Sequence, residues 1–145
     1  MPASSTMETD LLTLLFINTA WADFGDAAGL PKSTGDGNFT LALSTGTLTD
    51  ASTQATTEAA YTSYARKSVA RGAAKWTVTS GTVTNDAAEA FVQATGGSET
   101  ETDFSIGTDQ VADEMYIYGA LTASLAVSNG ITPEFAAGDL DVSVT

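Results

Sequence analysis

Carboxylates are the side chains here whose types and spacing come nearest to a chemical site. Glu99, Glu101 and Asp103 alternate, and Asp109, Asp113 and Glu114 follow closely. On a strand the first three share one face, and an all-oxygen set of this kind suits Ca²⁺. The chain lacks the twelve-residue loop with the ligand order that dedicated calcium loops use, so the competing expectation is a solvated acidic face. Paired carboxylates also hydrolyse glycosides, but they need a fixed separation and a substrate cleft, for which 145 residues offer little room. The chain has no His and no Cys, which removes imidazole acid–base chemistry, thiol nucleophiles, Ser-His-Asp triads, Cys/His zinc sites and disulfides. The expectation is a protein that is not an enzyme and has no catalytic residue, no metal site and no cofactor.

The basic side chains are the second constellation. Arg66, Lys67, Arg71 and Lys75 fall within ten residues, and Lys32 stands alone. They either pair with neighbouring Asp and Glu, at about 0–1 kcal/mol per exposed pair, or face an acidic partner, another copy of the chain or a larger assembly. A phosphate site is disfavoured because no Gly-rich loop or aromatic platform accompanies them. Among the aromatic residues most suit a core, but Tyr116 and Tyr118 fall opposite Met115 and Ile117 in an alternating run. If the latter pair faces inward, the tyrosines are exposed or lie between subunits, where aromatic residues are enriched.

With 18 acidic against 5 basic residues the formal charge is −13, a surface that repels nucleic acid and anionic lipid. The apolar run from Leu11 to Ile17, interrupted by Thr13, is far shorter than the roughly 20 residues of a membrane-spanning helix. Glu8 and Asp10 precede it in place of a basic region, so it does not read as a signal peptide. A soluble chain that binds neither nucleic acid nor membrane is expected.

These constellations need elements to position them. Residues 1–10 read as a flexible arm and 11–145 as a single β domain, with Thr9 or Asp10 capping a short helix over Leu11, Leu12, Leu14 and Leu15. Ala22 to Asn38, rich in Gly and Asp and including Asp23 and Asp26, reads as a long loop. Period-two patterns follow: Phe39, Leu41 and Leu43; Trp76 to Thr84 around a turn at Ser80-Gly81; Met115 and Ile117; the run Leu121 to Val127; and Leu140, Val142 and Val144. Gly-, Asn- and Asp-rich spacers separate them, so the expected fold is all-β, a sandwich or jelly-roll-like barrel with a short N-terminal helix. Residues Thr57 to Lys75 read locally as a helix ending at Gly72, with a strand from Tyr64 to Ala70 as the alternative.

Four segments occur in order: Leu41-Ala-Leu-Ser-Thr45, Tyr61 to Val69 with the later Trp76, Gly119-Ala-Leu-Thr122, and Phe135 to Leu140. Together, over roughly Leu11 to Val144, they resemble a family of small tailed-bacteriophage virion proteins. The resemblance implies an all-β virion component, decides for the strand at Tyr64 to Ala70, and suggests two roles. The first is a head decoration (cement) protein on the capsid exterior, assembled in the host cytoplasm. It would be a homotrimer that stabilises the shell by bridging major capsid protein subunits, since a ligand of the assembled state alone adds to its stability. Arg66, Lys67, Arg71 and Lys75 would then pair with partner charges, Leu11, Leu14 and Leu15 would dock the N-terminal helix, and Tyr116 and Tyr118 would line the subunit interface. The second is a tail-fibre or tail-tip component that binds a host receptor through loops such as Thr47 to Thr57 and Gly96 to Asp103. A halophile surface protein is a residual reading of the acidic excess.

Overall fold

Alternation of apolar side chains with Thr, Ser and Ala becomes strand in most places where the sequence shows it. The computed structural model describes residues 3–22, 24–25 and 29–144; Met1 and Pro2 of the expected arm and Asp23 and Asp26 of the expected loop lie outside them. Among the described residues one helix, α1 (Ser5–Leu12), runs into a π-helical turn (Thr13–Ile17) and precedes nine strands. These are β1 (Asn38–Ser44), β2 (Lys67–Ala70), β3 (Trp76–Thr79), β4 (Thr82–Asn85), β5 (Glu89–Ala90), β6 (Ser98–Thr108), β7 (Met115–Ser128), β8 (Glu134–Phe135) and β9 (Asp141–Ser143). The class is all-β, with sheets in the orders β2-β1-β6-β7, β3-β4-β9 and β5-β8. The chain forms two compact units, each built from separated segments.

The first unit comprises Met1–Gly37, Ala70–Ala88 and Phe135–Thr145. Ser4 caps α1 by accepting from the Met7 amide, and the chain leaves the π turn at Asn18, whose φ of 56° is the left-handed stop common after helices. Asn18 then pins the Gly-rich loop: its Nδ2 donates to the carbonyls of Ser33 and Gly35 and to Asp36, and its Oδ1 accepts from Ser33 N. Leu12 and Phe16 are fully buried, and Phe16 meets Trp76 edge-on at 4.9 Å. At the β3–β4 hairpin Ser80 and Gly81 take φ of 50° and 79°, the pair of positive angles that a twisted two-residue hairpin prefers. The Asn85 side chain staples the strand β4 end to the segment before β9, donating to Ala136 O and accepting from Gly138 N and Leu140 N.

The second unit comprises Asn38–Val69 and Glu89–Glu134 and holds the larger sheet. Antiparallel pairing sets Leu41 against Ile106 and Ile106 against Ile117. Of these, Leu41 and Ile106 are fully buried. The β6–β7 ladder has two irregularities: one at Gly107, and one where Glu101 faces Leu125 while Asp103 faces Ala120. Leu121, Thr122, Ala123 and Ser124 therefore bulge opposite Thr102 alone.

Three sequence expectations change. The helix begins at Ser5, so residues 5–10 are helical, because Ser4 offers a cap earlier than Thr9 or Asp10. The expected strand from Tyr64 shortens to β2, and the helical alternative does not form. The left-handed backbone at Thr57 and Ser63, with φ of 47° and 82°, breaks both periodicities ahead of it. The Gly96 to Asp103 stretch is not a loop: from Ser98 it is the first half of β6.

Candidate functional site

The alternating carboxylates of β6 do share one face, but that face is covered. Asp103 Oδ2 accepts from Leu48 N at 3.1 Å, and Glu99 Oε1 accepts from Ala60 N and Tyr61 N at 2.9 and 2.7 Å. Two acidic side chains thus hold the long segment after β1 by its backbone amides, a charge-assisted bond at each point. Glu101 lies between them, fully buried, and as a carboxylate neither of its oxygens has a hydrogen-bond partner. Burial, together with the neighbouring Glu99, pushes its pKa up to about 8, and in the protonated form it can donate to Glu99. The solvated acidic face expected from the sequence is therefore wrong for Glu101 and Asp103, which are 0% and 5% exposed. Among the described residues, no group of three or more acidic side chains converges as metal ligands do. Glu101 is sealed from solvent between two carboxylates that hold backbone amides, so this cluster anchors the segment after β1.

A second polar node lies in the same unit. Arg66 grips Glu58 with Nε and Nη2, both at 2.7 Å, and reaches Asp113 Oδ1 at 2.5 Å. Its hydrogen bonds to Glu58 come first among the causes that hold the guanidinium even more firmly charged than usual. Tyr64 accepts from Leu43 N and donates to Glu58, and its pKa is raised, chiefly by burial. Gln54 is buried beside them, bonded to Thr40 through both ends of its carboxamide. Thr57, Ser63 and Asp113, all with positive φ, adjoin this node.

The predicted basic residues are distributed over the two units. Besides Arg66, Lys67 meets Glu89 at 3.5 Å. Arg71 donates to the carbonyls of Leu14 and Leu15 and to Ser33, so it caps the carbonyl end of the N-terminal helical segment. Lys75 lies in the same unit as Arg71. Leu11 and Leu14 are half-buried and Leu15 is 41% exposed, whereas Leu12 and Phe16 carry the packing.

Two of the surfaces singled out in the sequence are open to solvent. Tyr116 and Tyr118 project from β7 at 57% and 42% exposure, and Val111 in the β6–β7 connection is exposed as well. The segment Thr47 to Thr57 exposes Thr47, Thr49 and Thr53 and is braced by local turns: Thr49 N donates to the half-buried Ser52 Oγ and Thr53 N to the half-buried Thr56 Oγ1. Sequence reasoning singled out the tyrosines and this loop but missed Gln54, Glu58 and the amide-holding role of Glu99 and Asp103. The donors for those carboxylates come from about 38 to 55 residues away in sequence, and no local pattern announces them.

Comparison with known proteins finds a matching family. Residues 2–143 match the model described as podophage GP4 fiber I protein gp80. No curated protein matches the chain.

Proposed function

The chain belongs to the family of the podophage GP4 fiber I protein gp80 and is thereby a structural protein of a tailed-phage virion, and we propose that within the virion it is a tail-fibre component that binds a host receptor. The observation that carries this reading is the match to a fiber protein over nearly the whole chain. Its work is adhesion without bond-making chemistry, and the buried acids and the Arg66 node serve to hold the display surface in shape. The contact is the Thr47 to Thr57 segment. Thr47, Thr49 and Thr53 are exposed and the backbone is fixed by the Thr49–Ser52 and Thr53–Thr56 turns, so little ordering entropy is lost on binding.

Copy number and cell binding test the two halves of this proposal separately. A stained gel of purified virions should show the chain at a few to tens of copies per particle, and imaging should place it on the tail. Hundreds of copies on the head would assign it to decoration of the major capsid protein instead. The purified chain should bind host cells and compete with phage adsorption. Thr47→Arg and Ala55→Arg, both at exposed positions, should abolish that competition while leaving the melting temperature unchanged. Undiminished competition by both variants would remove the loop from the contact.

A further inference from the structure

Glu101 is an acid held in a dry place beside a charge of its own sign. It is fully buried, neither of its oxygens accepts a hydrogen bond, and the charge that bears on it is Glu99, two residues earlier on the same face of β6. Across the ladder β7 sets Leu125 opposite Glu101 and Val127 opposite Glu99, and neither can balance a charge. β1 ends at Ser44, opposite Asp103, and beyond it the segment after β1 reaches this face through Ala60 and Tyr61. Tyr61 is the titratable neighbour there. Its hydroxyl donates to Val92 O, and burial, then Glu101 and Glu99, pushes its pKa up to about 12, so it stays neutral. Glu58 of the same segment is committed to Arg66 and Tyr64, and Asp103 to Leu48 N.

We propose that Glu99 and Glu101 form a proton-gated clasp: while the pair keeps one proton, Glu99 holds the Ala60 and Tyr61 amides, and when that proton leaves, Glu99 turns to solvent and the clasp opens. Burial selects Glu99 as the member that moves. The two residues are roughly 7 Å apart along the strand, inside the screening length of about 8 Å, so a second negative charge in this site is felt almost unscreened. Glu101 reaches water only if its cover lifts, whereas half-buried Glu99 needs only a side-chain rotation. Ala60 is exposed, so its freed amide finds water at once. The flanks stay tied, since Ala59 N donates to Leu43 O and Thr62 N to Gly96 O. Opening is therefore confined to two residues and leaves the sheet intact. With the pKa of Glu101 raised to about 8, the clasp is closed at neutral pH and below and opens in mild alkali. It is a property of the free chain and does not depend on what the Thr47 to Thr57 segment binds.

Amide-resolved NMR of the purified full chain tests this in a pH series. The amide protons of Ala60 and Tyr61 should move together, away from the shifts of amides bonded to a carboxylate, with a midpoint near pH 8. The Leu48 amide, held by Asp103, should not follow. Glu101→Gln has no proton to lose and should abolish the step, with both amides bonded throughout. Glu99→Gln leaves Glu101 without its charged neighbour and should abolish it too. Where a variant fails to fold, the natural chain still decides, because Leu48 is its internal reference. Ala60 and Tyr61 amides unmoved from about pH 6 to 10, a step that Leu48 shares, or an undiminished step in Glu101→Gln would each overturn the proposal.

Discussion

Glu101 is the residue whose environment most departs from what its type prefers. Its pKa in the fold is about 8 against an ordinary 4.5, so the folded chain keeps a proton that the unfolded chain releases. Stability from this group is full below pH 4.5, falls as pH rises through the window up to about 8, and is level above it. Glu101→Gln, which needs no proton to donate to Glu99, should remove that slope. We expect it to stabilise the chain by about 1–3 kcal/mol at pH 8 and to change little at pH 4, read as paired denaturant titrations. Equal effects at both pH values would show that the burial cost is not one of ionisation. Arg66 behaves in the opposite sense. Arg66→Ala strands Glu58, which is largely shielded, and should cost about 1–3 kcal/mol at neutral pH, read as a shift in a denaturant titration.

Elements depend on backbone positions that tolerate no side chain. At Gly107, where the β6–β7 register shifts, an added β-carbon would run into the Glu114 carbonyl and the Gln54 carboxamide. Gly107→Ala should lower stability by about 1–3 kcal/mol, because a strand must move to admit it. Gly35→Ala, with open space around it and no positive φ, should be neutral or stabilise by up to about 1 kcal/mol through the unfolded chain. The reverse order of these two melting temperatures would contradict the register described for β7. The β3–β4 hairpin was legible in the sequence because its signal, Thr and Val alternating around Ser80-Gly81, is local. β1 and β9 were legible for the same reason. β6 was not read as a buried strand, because Glu-x-Glu-x-Asp looks solvated until the amides of Leu48, Ala60 and Tyr61 arrive to cover it. The stretch Thr57 to Lys75 misled in the same way: helix propensity is summed over neighbours, whereas its path is set by the distant partners of Arg66 and by left-handed turns at Thr57 and Ser63. The tyrosines of the candidate surface were visible as the face opposite Met115 and Ile117, but their place on the outer strand of the larger sheet belongs to topology.

At the scale of the whole molecule, neither compact unit is a continuous stretch of chain, so no single cut isolates one of them. Charge acts on everything at once. With −13 on 145 residues, carboxylates repel one another over about 30 Å at 0.01 M salt, 8 Å at 0.15 M and 3 Å at 1 M. The melting temperature should therefore rise with NaCl, mostly below 0.15 M, and a fall would mean that ion pairs such as Arg66–Glu58 outweigh the repulsion.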